Sequence, residues 1–162
     1  MYISTMKAAS VKEIKAELEN LPPHELLPLA LRLAKFKKEN KELLTYLLFE
    51  ANDEQGYIRS VKEAVDELFE EINHDSLYYV KKTLRKILRL INRYSRYSDE
   101  TQTGVELLIY FCRKIKESSI PVEKSTALVN LYAGQIKKIK KEISTMHEDL
   151  QYDYLKEIEK LS

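Results

Sequence analysis

Hydrophobic residues recur every three or four positions along most of the chain, and no segment keeps up the period-two alternation of a half-buried strand. The clearest rows lie in the middle of the sequence. One contains Ile58, Val61, Val65, Leu68 and Ile72. This spacing predicts an amphipathic helix with one apolar face, and the Asp that precedes the row at position 53 can cap its first turn.

The next row predicts a fifth helix of almost three heptads. It contains Leu77, Val80, Leu84, Ile87, Ile91 and Tyr94. The polar segment Asn73-His74-Asp75 separates it from the fourth helix. The two predicted helices can therefore form an antiparallel hairpin.

Similar signals predict the remaining helices. The first predicted helix spans Ser10–Asn20, the second follows Leu21-Pro22-Pro23 and runs to Lys38, and the third spans Asn40–Asn52. The sixth is capped by Ser98 and is rich in apolar residues over 105–115. The seventh follows Pro121 and has apolar residues over 128–143, and the eighth runs from Thr145 to Leu161. The last two can also be interpreted as one kinked helix. The second carries apolar residues nearly all round, so we expect it to be central.

The fold class predicted is all-α, with seven to eight antiparallel helices in a helical-hairpin array (α-solenoid-like) or an irregular bundle. Residues 1–162 are expected to form a single all-helical domain with a flexible N-terminus over residues 1–9. The segment 42–46 resembles 106–110, which raises the alternative that a three-helix unit is used twice. Chance similarity between leucine-rich helices is the favoured explanation, because the echo is short. The core is expected to include Leu47, Leu68, Leu84, Leu108 and Cys112.

Charge changes this picture because it is segregated. The formal net charge is only +1, so any electrostatic function must come from local separation of charge. Between Tyr78 and Tyr97 there are seven cations and no acid. We call these cations the basic stripe: Lys81, Lys82, Arg85, Lys86, Arg89, Arg93 and Arg96. The fourth helix carries an acidic face opposite its apolar row: Glu63, Asp66, Glu67 and Glu70.

Two interpretations of the basic stripe stay open. Like charges one turn apart cost a helix about 0.2–0.5 kcal/mol per pair, so something should compensate. Acidic neighbours on the fourth helix are the simplest candidates. Alternatively, the stripe binds an anionic partner, either an acidic protein surface or a phosphate backbone.

The sequence offers little to support catalysis. Its three glycines, Gly56, Gly104 and Gly134, are isolated, which excludes a P-loop or a dinucleotide fingerprint. The spacing Glu71-x-x-His74 puts two potential ligands on one helical face, but a di-iron bundle needs that motif twice. We therefore predict no metal, no cofactor and no catalytic residue. The function predicted is that of a non-enzymatic protein-interaction module.

The single cysteine, the lack of a signal-peptide pattern and the absence of a long apolar segment predict a cytoplasmic protein without a membrane partner. A protein partner or self-association is expected. The first alternative function is binding of nucleic acid or another polyanion by the basic face of residues 81–96, and we consider it less favoured than a protein partner. The second alternative function is that of an enzyme with a dispersed site.

One resemblance adds to these expectations. The segments Leu21-Pro22-Pro23-His24-Glu25-Leu26-Leu27 and Lys41-Glu42-Leu43-Leu44-Thr45-Tyr46-Leu47-Leu48 resemble an uncharacterised family of small all-helical bacterial proteins of unknown function. The resemblance implies a bacterial, cytoplasmic origin. It assigns no role to any residue.

Overall fold

The computed structural model describes residues 6–162, which contain eight α-helices and no strand. The predicted all-α class with seven to eight helices is confirmed. Residues 1–5 of the expected flexible segment lie outside the described residues, and residues 6–10 precede the first helix. The helices are α1 Val11–Glu19, α2 Pro23–Phe36, α3 Lys38–Thr45, α4 Glu54–Glu70, α5 Leu77–Tyr97, α6 Thr101–Glu117, α7 Thr126–Ile143 and α8 Glu148–Glu159. A π-helical turn spans Tyr46–Glu50 and a 3₁₀ turn spans Val122–Lys124.

Local capping chemistry explains several helix starts. The side chains of Ser10 and Glu13 form the predicted reciprocal box at α1. Asp53 accepts a hydrogen bond from the backbone N–H of Gly56 at 3.0 Å, as predicted for α4. The cap of α6 differs, because α6 begins at Thr101 and Ser98 instead bonds the backbone N–H of Glu100.

The start of α7 also differs from the prediction. Pro121 opens the short 3₁₀ turn, and Ser125 caps α7 itself. Beyond α7, a break at residues 144–147 makes α8 a separate helix. The alternative of one kinked helix was therefore wrong.

By its contacts the chain divides into two compact units, 1–45 and 46–162. In the second unit α4 packs against α5 and α6, α6 against α5 and α7, and α7 against α8. Its core is apolar and continuous, and the largest side chains with almost no exposure include Leu84, Ile87, Phe111, Leu128 and Ile143. The expectation of a single domain over 1–162 stays a prediction.

The N-terminal unit differs from what the apolar pattern predicts. None of its described residues is buried, so α2 is not the central helix that the sequence predicted. Within the unit α2 packs on α3, and the Asn40 amide donates to the Leu33 carbonyl at 2.8 Å. A helix that is apolar all round belongs in a core, but a segment of three helices has too few neighbours to surround it.

The core list was right in part. Leu84, Leu108 and Cys112 are buried, and Leu68 is half-buried against the same core. The prediction that Leu47 belongs to the core is wrong, because its side chain is 55% exposed in the π-helical turn. That turn carries a bond from the backbone N–H of Ala51 to the Tyr46 carbonyl, five residues back, which changes the direction of every side chain after Tyr46 relative to a regular helix.

The alternative of a three-helix unit used twice stays a prediction. The aligned residues differ, since Leu43 is 38% exposed and Leu107 is fully buried. The echo between 42–46 and 106–110 therefore joins two leucines with different surroundings.

Candidate functional site

The outward side of α5 carries most of the basic stripe. Lys82, Arg85, Arg89 and Arg96 are exposed. No carboxylate of residues 6–162 lies within ion-pair distance of any of these four side chains. The face that they form is therefore open to an anion from outside the chain.

The other three cations of the basic stripe have different surroundings. Lys86 is exposed and lies 4.0 Å from the carboxylate of Glu71, at the C-terminal end of α4. Lys81 and Arg93 are half-buried, and the Arg93 guanidinium lies 5.3 Å from the ring centre of Tyr94. The predicted stripe is thus an open face of four residues, flanked by Lys86 and Arg93, which contact other side chains, and by the half-buried Lys81.

The acidic face also separates into two groups. Glu63, Glu67 and Glu70 are exposed and make no ion pair within the described chain. Asp66, which the sequence placed with them, is turned toward α6. There it accepts a hydrogen bond from the Tyr110 hydroxyl at 2.5 Å and lies 3.1 Å from the Lys114 ammonium. The hypothesis that acids of the fourth helix neutralise the basic stripe holds for Lys86, which pairs with Glu71. Among residues 6–162, Glu63, Glu67 and Glu70 pair with no cation of the stripe.

Reversing the charge of two of the open cations should therefore not lower the free energy of unfolding. We expect the Arg85→Glu, Arg89→Glu double variant to keep its free energy of unfolding within about 0.5 kcal/mol, or to gain slightly as repulsion within α5 is relieved. Urea denaturation of the purified protein measures this.

The matched control reverses a cation that is paired. Lys114→Glu places a negative charge beside Asp66 and should lower the unfolding free energy by more than about 0.5 kcal/mol. A loss of more than about 1 kcal/mol in the double arginine variant, on the same scale of surface effects, would mean that α5 has an acidic neighbour in the folded chain.

A second surface lies on α2, where the sequence predicted a buried helix. Leu29, Leu33 and Phe36 are 42%, 64% and 76% exposed. Their spacing of four and three residues places them on one line along the helix. Leu27 and Leu31, on the other side of α2, are also exposed. Large apolar side chains exposed in a row along one helix are candidates for an interaction site.

Three buried hydroxyl groups surround the half-buried carboxylate of Glu54 in the first turn of α4. One oxygen of its carboxylate accepts hydrogen bonds from the hydroxyls of Ser98 and Thr103, both at 2.6 Å. The other oxygen accepts from the Tyr46 hydroxyl at 2.7 Å. Burial alone would raise the pKa of the Glu54 carboxyl, but the three hydroxyl donors together hold it below its ordinary value.

Four tyrosine rings continue this cluster along α4 and α5. The rings of Tyr46 and Tyr57 lie 4.7 Å apart, and those of Tyr94 and Tyr97 lie 5.7 Å apart. The Tyr57 hydroxyl donates to the Tyr94 carbonyl at 2.7 Å, and burial raises the pKa of Tyr57 well above its usual range. The Glu54 cluster therefore fastens the π-helical turn, α4, and the corner between α5 and α6 to one another.

A polar cleft of about 380 Å³ lies among α4, α6 and α8. Arg113 pairs with Glu157 across it at 3.2 Å, and the Tyr154 hydroxyl donates to Glu106 at 3.1 Å. Burial first, and then the charge of Glu106, raise the pKa of Tyr154 to about 12. Four polar groups of this cleft thus bond in two pairs.

Two further findings limit the chemistry of residues 6–162. No three His, Cys, Asp or Glu side chains in this range lie close enough together to hold a metal ion. In the same range, no helix combines the length and the apolar character needed to cross a membrane.

No family model, curated protein or solved structure matches the chain. The resemblance to an uncharacterised family of bacterial helical proteins therefore stays a prediction. The surfaces of α2, α4 and α5 have to be interpreted from their own geometry.

Sequence reasoning missed both the Glu54 cluster and the apolar surface of α2. Glu54 looks like one more acid in a first helical turn, and its donors Ser98 and Thr103 are 44 and 49 residues away along the chain. For α2, the signal was present in the apolar residues themselves. What the pattern could not give is whether the rest of the chain covers them.

Proposed function

We propose that this protein is a non-enzymatic protein-interaction module that binds another protein through the apolar side chains of α2. The observation that carries the proposal is the exposure of Leu29, Leu33 and Phe36 in a unit without a single buried described residue. Burying such side chains contributes roughly 1.5–3 kcal/mol each, so they favour association strongly. A second protein surface is the simplest source of that burial.

The row on α2 suits a groove on the partner. Helices that bind in grooves use anchors spaced by three, four and seven residues, and Leu29, Leu33 and Phe36 have this spacing. Phe36 is the most exposed of the three, and large aromatic side chains often dominate binding energy. We therefore assign Phe36 as the main anchor.

A photo-crosslinking residue at position 36 tests the proposal in cells. Replacing Phe36 with benzoyl-phenylalanine should give a discrete cross-linked species, because the side chain would lie inside the partner's groove. Adding Leu33→Glu should remove that species by placing a charge in the apolar contact. Gel mobility and mass spectrometry of the purified adduct provide the measurement.

The control places the same cross-linker at Tyr152 on α8, which is 61% exposed and outside α2. The Tyr152 variant should give no discrete species. The same product from both positions, or a product at position 36 that survives Leu33→Glu, would refute binding through α2. Leu33→Glu should leave the unfolding free energy within about 0.5 kcal/mol, so that lost cross-linking reflects lost binding.

A second function is favoured by the four open cations of α5. Lys82, Arg85, Arg89 and Arg96 could bind a polyanion, and such binding would weaken steeply as salt is added. The exposed glutamates on the adjoining helix oppose it, so it ranks below the α2 interaction.

Cys112 is a buried thiol whose pKa burial raises to about 12. An unreactive thiol of this kind suits the cytoplasm, which is the location that we propose.

A further inference from the structure

The open charges of α4 and α5 lie on the outer face of one antiparallel hairpin. The Tyr57–Tyr94 hydrogen bond joins the start of α4 to the end of α5, and the Glu71–Lys86 pair joins the helices nearer their connection. At 3.6 residues per turn, the row Glu63, Glu67 and Glu70 lies about half a turn from the buried row of α4. By the same geometry Lys82, Arg85 and Arg89 point away from the buried row of α5.

The spacing of the two rows is complementary. The acids of α4 are separated by four and then three residues, and the cations of α5 by three and then four. When the cations are taken from the C-terminal end of α5 backwards, their separations are four and then three residues, the same as those of the acids taken forwards along α4. The two ends of each row are seven positions apart, about 10.5 Å along a helix. Antiparallel pairing therefore matches Glu63 to Arg89, Glu67 to Arg85 and Glu70 to Lys82.

Within one molecule these pairs do not form, although α4 and α5 are neighbours, because both rows face outward. We propose that the α4–α5 hairpin binds the same hairpin of a second copy of this chain. A two-fold axis parallel to the helices places α4 of each copy over α5 of the other in antiparallel orientation. Both sets of three pairs then form at once, as a self-complementary two-fold interface requires.

A second copy explains the surface better than a nucleic acid does. A phosphate backbone laid along α5 would lie beside the exposed glutamates of α4, about one helix diameter away, and would be repelled by them. A surface that carries a negative row beside a positive row is best matched by a partner whose positive row lies opposite the negative one and whose negative row lies opposite the positive one. This chain carries such a surface itself, and the inference is independent of the α2 interaction.

Exposed ion pairs are individually weak and are screened by salt, so the dimer should be weak and sensitive to ionic strength. Sedimentation equilibrium should show dimer at about 0.02 M salt, with a dissociation constant at least about tenfold higher at about 0.5 M. A monomer at both salt concentrations, at protein concentrations up to the millimolar range, overturns the proposal.

Cross-linking of the unmodified protein tests the register. A zero-length carbodiimide joins a carboxylate directly to an amine, and the register places Glu70 opposite Lys82. In an equal mixture of ¹⁴N and ¹⁵N protein, we expect a Glu70–Lys82 peptide that combines the two isotopes. If that peptide carries only one isotope in each molecule, or does not form, the two copies do not pair in this register.

Charge exchange tests the two-fold arrangement. Reversing the acids (Glu63→Lys, Glu67→Lys, Glu70→Lys) or the cations (Lys82→Glu, Arg85→Glu, Arg89→Glu) should leave each variant monomeric. Mixing the two variants should restore a one-to-one dimer, because each hairpin then meets opposite charges on both helices. Failure of the mixture to associate, while circular dichroism shows both variants folded, overturns the proposal.

A matched control separates paired charges from net charge. Lys137→Glu, Lys140→Glu, Lys141→Glu on α7 changes three exposed lysines and alters the net charge as much as the cation-reversed variant does. This variant should still form its own dimer, with a dissociation constant within about threefold of the original, since long-range charge is screened at moderate salt. Loss of dimer equal to that of the α5 variant would show that only net charge matters.

Discussion

Replacing Glu54 with alanine should lower the free energy of unfolding by about 3 kcal/mol or more, because each buried hydroxyl left without an acceptor costs about 1–3 kcal/mol. The carboxylate accepts from Tyr46, Ser98 and Thr103, and all three of these residues are buried. Urea denaturation followed by near-ultraviolet circular dichroism is a suitable measurement. The chain has no tryptophan, so the signal comes largely from tyrosines, including the ring cluster beside Glu54.

The pH dependence of the same variant has a definite sign. The pKa of Glu54 is lowered in the folded protein, so its stabilising effect is present above the pKa of the unfolded carboxyl, about 4.3. That effect is lost as the pH falls through the lower folded value. The difference in unfolding free energy between the original protein and Glu54→Ala should therefore shrink below about pH 4.

Glu63→Ala is the control, because Glu63 lies on the same helix but is exposed. It should change the unfolding free energy by less than about 0.5 kcal/mol. A Glu54→Ala variant as stable as Glu63→Ala would show that the cluster does not fasten these helices together.

Leu84→Ala should lower the unfolding free energy by about 2–5 kcal/mol, since it opens a cavity in a well-packed core. Leu84 is 1% exposed and lies in the middle of the buried row of α5. Leu155→Ala on α8 is the comparison, because Leu155 is 42% exposed. A cost for Leu84→Ala below about 1 kcal/mol would mean that the buried face of α5 has been placed wrongly.

The hydrophobic period determined the helices of the second unit and their buried faces. The rows from Ile58 to Ile72 and from Leu77 to Ile91 become the inner faces of α4 and α5, because a helix with one apolar stripe has one way to bury it. The outward direction of Arg85 and Arg89 followed from the same phase. Helix caps such as Asp53 could also be predicted from the sequence, since capping depends on residues within one turn.

Three features depended on the tertiary structure. Whether α2 is covered depends on the neighbours that surround it, and apolar composition alone cannot distinguish a central helix from an exposed one. The direction of Asp66 depends on the position of Tyr110 and Lys114 on α6. The acceptor role of Glu54 depends on Ser98 and Thr103, which only folding brings to it.

The sequence by itself thus determined which residues form helices and which face of α4 and α5 is buried, because these follow from interactions between residues three or four positions apart. Only the tertiary structure decided which charges meet and which apolar side chains stay exposed. Those outcomes depend on side chains that are distant in sequence and adjacent in space. For this protein Leu29, Leu33 and Phe36 of α2 are exposed, and the charged rows of α4 and α5 form no ion pair with each other among the described residues.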